Sequence, residues 1–156
     1  MTVLLGSILV VDDDENIRKL LSSILSNEGY TVETAKNGKE AIKSCEKFDF
    51  DAALIDVELP GMKGTELLKR LKKLRPKMIN IIITGHPSLD SAMKGVNERA
   101  DGYILKPLKV WEILKLIERL LTEKTNENVR LFGEFARNRE NSPTMRYQTP
   151  DSWSKK

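Results

Sequence analysis

The chain has 156 residues, of which 40% are hydrophobic and 31% charged, a balance typical of one folded domain with room for an appendage. Its net charge of +3 arises in residues 124–156, which hold seven basic and four acidic side chains, so the charge argues only weakly for nucleic-acid binding. One cysteine, Cys45, excludes an internal disulfide, and the short apolar runs argue against a membrane span. The start of the chain has no basic residues and reaches acidic ones at Asp12, which argues against a secretory signal, so we expect a cytoplasmic protein.

Five apolar runs predict buried strands. In chain order they are Ile8–Val11, Thr31–Ala35, Ala52–Ile55, Ile79–Ile83 and Tyr103–Leu105. The first, third and fourth are continuous and rich in β-branched residues, which is typical of strands covered on both faces in a parallel sheet.

Segments with a helical period follow each of these runs. Their apolar stripes run from Ile17 to Leu25, Ala41 to Cys45, Leu67 to Leu74, Leu89 to Val96 and Val110 to Leu121. The fourth stripe is the weakest, because it is short and Gly95 lowers its helix propensity. The repeated β-α order predicts an α/β protein with a doubly wound, five-stranded parallel sheet and helices on both faces.

Polar side chains follow four of the five predicted strands, and the carboxyl ends of parallel strands meet at one edge of a sheet. These side chains are Asp12, Asp13 and Asp14, then Asp56, Thr84 and Lys106. Asp14 precedes a helix, so we expect it to cap that helix rather than to bind a metal.

The remaining residues at this edge suit one chemistry. Carboxylates without histidine or cysteine partners favour a hard cation, and Mg²⁺ is the best match. Asp56 beside that cation could attack a phosphoryl group, with Lys106 neutralising charge and Thr84 donating to a phosphoryl oxygen. The set therefore predicts phosphoryl transfer onto an aspartate.

Four motifs, in order and over roughly residues 6–123, strengthen this interpretation: ILVVDDDENIR, ALIDVELPGMKG, IIITGH and GYILKP. With them the sequence resembles the receiver domains of two-component response regulators, including the stand-alone, chemotaxis-type receivers. The resemblance implies a flavodoxin-like (βα)5 fold. It also implies a signalling switch that accepts a phosphoryl group from a sensor histidine kinase or a histidine phosphotransfer protein. Such a switch is not an enzyme, apart from its own phosphorylation and dephosphorylation.

The resemblance implies a role for each matched residue around the metal. Asp56 corresponds to the phosphoacceptor. Asp13 would bind Mg²⁺ directly and Asp12 mostly through water, while the backbone carbonyl of Glu58 would complete the metal site. Gly64, with Pro60, would shape the loop that follows the acceptor.

The resemblance also implies how the signal leaves the site. Thr84 and Tyr103 correspond to a switch pair that relays phosphorylation to the face of the fourth helix, fifth strand and fifth helix, where an output partner would bind. Lys106 would contact the phosphoryl group, and the bond from Lys106 to Pro107 would be cis.

Three positions depart from the family pattern or vary within it. Arg99 stands where the family usually has glycine, before the fifth strand. Glu58 and His86 occupy positions that tune dephosphorylation in the family, so the resemblance implies no lifetime for the phosphorylated state.

The composition changes after Glu123, which divides the chain into a receiver domain, residues 1–123, and a tail. Within the tail, residues 124–139 predict an amphipathic helical extension, and residues 140–156 predict a disordered end. The apolar side of the extension would be buried on the receiver, in a homodimer or on another protein. The chain is either a stand-alone receiver or the receiver fragment of a longer transcriptional regulator.

Two rival functions stay open. A haloacid-dehalogenase-like phosphatase also forms an aspartyl phosphate, and here Asp12 would be its nucleophile with Asp14 as the acid two positions later. A degenerate receiver would bind partners without phosphorylation, and we would expect it to lack Mg²⁺ binding.

Overall fold

The structure is a computed structural model that describes residues 5–85 and 100–140. Its strands are β1 (Gly6–Val11), β2 (Tyr30–Ala35), β3 (Ala52–Asp56), β4 (Ile79–Thr84) and β5 (Gly102–Leu105). They form one parallel sheet in the order β2-β1-β3-β4-β5. The five predicted strands and their parallel pairing are thereby confirmed.

The helices in the described residues are α1 (Glu15–Asn27), α2 (Gly38–Lys47), α3 (Gly64–Leu74) and α4 (Val110–Glu140). Helix α4 corresponds to the fifth helix that the sequence predicts. The predicted fourth helix, with its stripe from Leu89 to Val96, lies outside the described residues.

Two apolar layers cover the two faces of the sheet. One lies between the sheet and α2 and α3, and it includes Leu9, Cys45, Ile55 and Leu68. The other lies between the sheet and α1 and the start of α4, and it includes Val10, Leu54 and Ile113. Strands β3 and β4 are buried along their whole length, which explains why they are apolar apart from Asp56, Asn80 and Thr84.

The described residues divide into two units between Leu121 and Thr122, although α4 continues to Glu140. The change in composition near residue 124 does not end the helix, because the segment has no proline and its one glycine is Gly133. Within the second unit, α4 exposes the apolar side chains of Val129, Phe132 and Phe135. No helix among the described residues is both long enough and apolar enough to span a bilayer.

Candidate functional site

The site lies where the order of the strands reverses. Strands β1 and β3 are neighbours at the centre of the sheet, and the chain leaves them toward opposite sides, which opens a crevice at their carboxyl ends. Asp12 follows β1 directly, and Asp56 is the last residue of β3. One carboxylate oxygen from each of Asp12, Asp13 and Asp56 lies within 4.8 Å of the others. The fold thus gathers three acidic groups, two of which are buried.

The carboxylate of Asp12 is only half satisfied. Its Oδ1 accepts a hydrogen bond from the backbone N–H of Asp14 at 2.9 Å, while its Oδ2 is buried and has no hydrogen-bond partner among residues 5–85 and 100–140. Burial raises the pKa of Asp12 from 3.8 to about 6; the Asp14 N–H opposes this shift and the charge of Asp56 adds to it. A buried, unpartnered oxygen of this kind is unfavourable unless a cation approaches it.

Asp56 is buried beside a cationic side chain. Its Oδ1 accepts from the backbone N–H of Glu58 at 3.1 Å, and its Oδ2 lies 3.6 Å from Nζ of Lys106. Burial raises the pKa of Asp56, and the Glu58 N–H and the Lys106 ammonium oppose that rise. Lys106 is therefore close enough to neutralise charge that develops on a group attached to Asp56.

The donor set fits a hard divalent cation. Asp12, Asp13 and Asp56 contribute only oxygen atoms, as Mg²⁺ prefers, and Oδ2 of Asp12 is buried with no hydrogen-bond partner in the described part of the chain. The backbone carbonyl of Glu58, which the resemblance assigns to the same cation, stays a prediction.

Strands β4 and β5 bring two further residues to this edge. Thr84 ends β4 and is buried, and its carbonyl accepts from the backbone N–H of Lys106 at 2.8 Å. The Lys106–Pro107 peptide bond is cis. Tyr103, on β5, is half-buried against the layer under α2 and α3. The relay from Thr84 to Tyr103 stays a prediction.

The loop after Asp56 is held close to the acceptor. A Cβ atom at Gly64 would lie 2.5 Å from the carbonyl oxygen of Asp56, so only glycine fits there. The backbone N–H of Gly64 donates to the carbonyl of Val57 at 3.0 Å. Gly61 has a φ of +79°, which gives the loop its turn. The two glycines of the motif LPGMKG are therefore needed for the backbone conformation of the loop that follows Asp56.

Two hydrogen-bonding residues at the start of α1 hold the segment that follows β1. The sequence predicts the role of one of them, Asp14, but not that of the other, Arg18. Asp14 is the N-cap of α1 and accepts from the backbone N–H of Asn16 at 2.8 Å, which confirms its capping role. Arg18 reaches back from α1 and donates from one guanidinium nitrogen to the carbonyls of Asp12, at 2.8 Å, and Asp13, at 3.0 Å. In the sequence Arg18 is only one residue on the polar face of α1. His86 and Arg99 lie outside the described residues.

The fold and this edge of the sheet define a phosphoryl-accepting class of signalling domain. The model of the family described as response regulator receiver domain matches residues 8–118, and the chain belongs to this family.

Relatives with known descriptions are longer regulators. The DNA-binding transcriptional regulator NtrC of Escherichia coli (strain K12) is 36% identical over 132 residues, covering 82% of this chain and 28% of that protein. A putative response regulator NtrX-like of Rickettsia bellii is 34% identical over 128 residues, covering 80% of this chain and 27% of that protein. The chain thus spans less than a third of the length of either relative.

Solved structures include both short and long relatives. A CheY-like receiver domain protein from Methanospirillum hungatei JF-1 has 42% identity and a TM-score of 0.74, with 79% of this chain and 98% of that chain covered. NtrX from Brucella abortus, in complex with ADP, has 30% identity and a TM-score of 0.73, with 79% of this chain and 28% of that chain covered.

Proposed function

We propose that this protein is a Mg²⁺-dependent switch that accepts a phosphoryl group on Asp56 from a sensor histidine kinase or a histidine phosphotransfer protein. The environment of Asp56 carries the proposal. The carboxylate is buried at the reversal of strand order, lies 3.6 Å from the Lys106 ammonium, and shares an acidic cluster with Asp12 and Asp13. Membership of the receiver family supports the same chemistry.

In the transfer step, a carboxylate oxygen of Asp56 attacks the phosphorus atom of the donor. The bond from phosphorus to the donor imidazole nitrogen breaks, its electron pair stays on that nitrogen, and a bond from phosphorus to the Asp56 oxygen forms. Lys106 neutralises charge on the phosphoryl oxygens, and the hydroxyl of Thr84 donates to one of them. Mg²⁺ held by the cluster of Asp12, Asp13 and Asp56 would supply further charge neutralisation.

The Glu58 N–H orients the nucleophile. Because it holds Oδ1 of Asp56 at 3.1 Å, the carboxylate plane is fixed before the donor arrives.

Phosphorylation would add about −1.5 to −2 charge at this edge of the sheet. In our proposal Thr84 turns toward the new group and Tyr103 follows, which changes the face that includes β5 and the start of α4. That face exposes Leu105, Val110 and Trp111, apolar side chains that an output partner could cover.

A receiver within a longer transcriptional regulator is the second candidate function. It is favoured by the length of the relatives and by α4, which continues past the family match at residue 118 to Glu140. A homodimer formed through the exposed apolar side of α4 is compatible with either candidate. Light scattering before and after phosphorylation would distinguish a monomer from a dimer.

The phosphatase rival has no geometric support in the described residues. It requires Asp12 as a nucleophile and Asp14 as an acid, but the side chain of Asp14 caps α1 and its N–H holds Oδ1 of Asp12. We propose no turnover of separate substrates. Multiple turnovers of a generic aryl phosphate that survive Asp56→Asn would favour the rival.

Mass spectrometry after incubation with acetyl phosphate and Mg²⁺ tests the main proposal. We expect one added phosphoryl group in the wild-type protein and none in Asp56→Asn. Asp14→Asn is the matched control, because asparagine caps helices as well as aspartate does, and it should be modified like the wild type. Equal modification of Asp56→Asn, or no modification of the wild type, would refute the assignment.

A further inference from the structure

We infer that Arg18 is a positioning residue for the metal site: its guanidinium holds the backbone that carries the Asp12 and Asp13 carboxylates in the arrangement that Mg²⁺ requires. This inference rests on the proposed Mg²⁺ site and adds a residue from outside the cluster of carboxylates.

The guanidinium of Arg18 forms hydrogen bonds with the backbone of the segment that precedes α1. Its Nη1 donates to the carbonyls of Asp12, at 2.8 Å, and Asp13, at 3.0 Å. Its backbone N–H donates to the carbonyl of Asp14 at 3.1 Å. That backbone bond is the ordinary one of a first helical turn, so the side chain of Arg18 adds the two bonds to Asp12 and Asp13, in the segment that leaves β1 and carries the acidic side chains.

The same segment is also held from within. The N–H of Asp14 donates to Oδ1 of Asp12 at 2.9 Å, so the carboxylate is tied to the backbone two residues later. This bond orients Asp12 only if the backbone from Asp12 to Asp14 keeps its shape. The two bonds from the guanidinium fix that shape, and they leave the buried Oδ2 of Asp12 available for a cation.

Arg18 acts through the backbone rather than through its charge. Both side-chain bonds go to carbonyl oxygens, not to the carboxylates. A cation near a metal site would repel Mg²⁺ if charge were its main effect. Positioning and charge therefore predict opposite signs when Arg18 is replaced by a neutral residue of similar length.

The preference of the site for Mg²⁺ over Ca²⁺ reports how well the Asp12–Asp14 backbone is positioned. Mg²⁺ demands near-octahedral geometry at short distances, whereas Ca²⁺ accepts a larger and more flexible shell. A loosened Asp12–Asp14 segment should therefore weaken Mg²⁺ binding more than Ca²⁺ binding. A general loss of stability, or a change of charge alone, would not change the preference between the two ions.

The test is calorimetric titration of Mg²⁺ and of Ca²⁺ into the wild type, Arg18→Met, Arg18→Lys and Lys19→Met. Lys19→Met removes the same charge from the next position, whose exposed ammonium pairs with Glu15 at 3.2 Å. For Arg18→Met we expect about tenfold weaker Mg²⁺ binding, as for other groups that orient metal ligands, and a smaller loss for Ca²⁺. Arg18→Lys, which keeps a donor, should fall between Arg18→Met and the wild type. Lys19→Met should bind like the wild type.

Each outcome decides the inference. Unchanged or tighter Mg²⁺ binding by Arg18→Met, or equal losses for Mg²⁺ and Ca²⁺, would overturn the positioning role while leaving the proposed function intact. No Mg²⁺ binding by the wild type would overturn both. If a urea titration shows that Arg18→Met does not fold, the ratio of Mg²⁺ to Ca²⁺ affinity in Arg18→Lys decides between the outcomes. A ratio equal to that of the wild type would refute the positioning role.

Discussion

The two edges of the sheet use aspartate in opposite ways. At the amino ends of the strands, Asp51 accepts from the backbone N–H of Ser7 at 2.8 Å, and Asp101 accepts from the backbone N–H of Asn80 at 2.8 Å. At the carboxyl ends, Oδ2 of Asp12 is buried without a hydrogen-bond partner from the residues that the structure describes, and burial raises the pKa of both Asp12 and Asp56. The amino edge holds the strands together, whereas the carboxyl edge holds acidic groups in an unfavourable state.

This difference shows where the protein gives up stability for function. Aspartates that receive backbone hydrogen bonds at the amino edge favour folding. Acidic groups that are buried near one another disfavour folding until a cation joins them. Variants at the two edges should therefore change stability with opposite signs.

The largest effect should follow loss of a negative charge from the proposed Mg²⁺ site. We expect Asp12→Asn to weaken Mg²⁺ binding by at least about 100-fold, because an amide cannot supply the negative charge of the carboxylate. Calorimetry at neutral pH measures this change. Mg²⁺ binding within threefold of the wild type would remove Asp12 from the metal site.

Loss of an acceptor at the amino edge should affect stability alone. We expect Asp51→Ala to lower the free energy of unfolding by about 1–3 kcal/mol, because the Ser7 N–H loses its acceptor. Urea denaturation measures that change, and Mg²⁺ affinity of the folded variant serves as the control. A large loss of Mg²⁺ affinity would show that the two edges are not separate in function.

The pH dependence of stability should reveal that the ionised carboxylate of Asp12 is unfavourable in the folded protein. Asp12 has a pKa of about 6 in the folded protein and an ordinary value of 3.8, so a proton on it favours the folded state. This contribution is complete below about pH 4 and is lost as the pH rises through about 6, an expected fall on the order of 3 kcal/mol without Mg²⁺.

Asp12→Asn isolates that contribution because it lacks the titrating group. Between pH 4 and 7, in the absence of Mg²⁺, the free energy of unfolding of the wild type should fall relative to that of Asp12→Asn. A constant difference across this range would show that Asp12 is not held in an unfavourable ionised state.

The smallest effect should follow removal of charge at the amino edge. We expect Asp101→Asn to cost less than about 1 kcal/mol, because the amide oxygen can still accept from the Asn80 N–H. Thermal or urea unfolding measures it, with Asp101→Ala as the more damaging companion. A cost above that of Asp101→Ala would contradict the view that this edge needs only an acceptor.

The sequence predicts the carboxyl edge better than the amino edge for a physical reason. Alternating strand and helix periods determine which residues follow each strand, so Asp12, Asp56 and Lys106 could be placed at one edge before the structure was known. The contact between Asp51 and Ser7 depends on strand register across 44 positions of sequence separation, which periodicity does not reveal.

One other feature was equally hidden from the pattern of residues. The reach of Arg18 back to two carbonyls depends on how α1 leaves β1, and nothing in its spacing distinguishes it from a solvated arginine. By contrast, the sequence predicts residues 124–139 as a helical extension, and α4 continues through them to Glu140.

The most direct test is a crystal grown or soaked with Mn²⁺, which shares the oxygen ligands of Mg²⁺ and gives an anomalous signal. We predict one strong peak within ligand distance of the Asp12, Asp13 and Asp56 carboxylates, and none beside Asp51 or Asp101. A map with no peak at the carboxyl edge, or with equal peaks at both edges, would contradict the division between structural and functional aspartates.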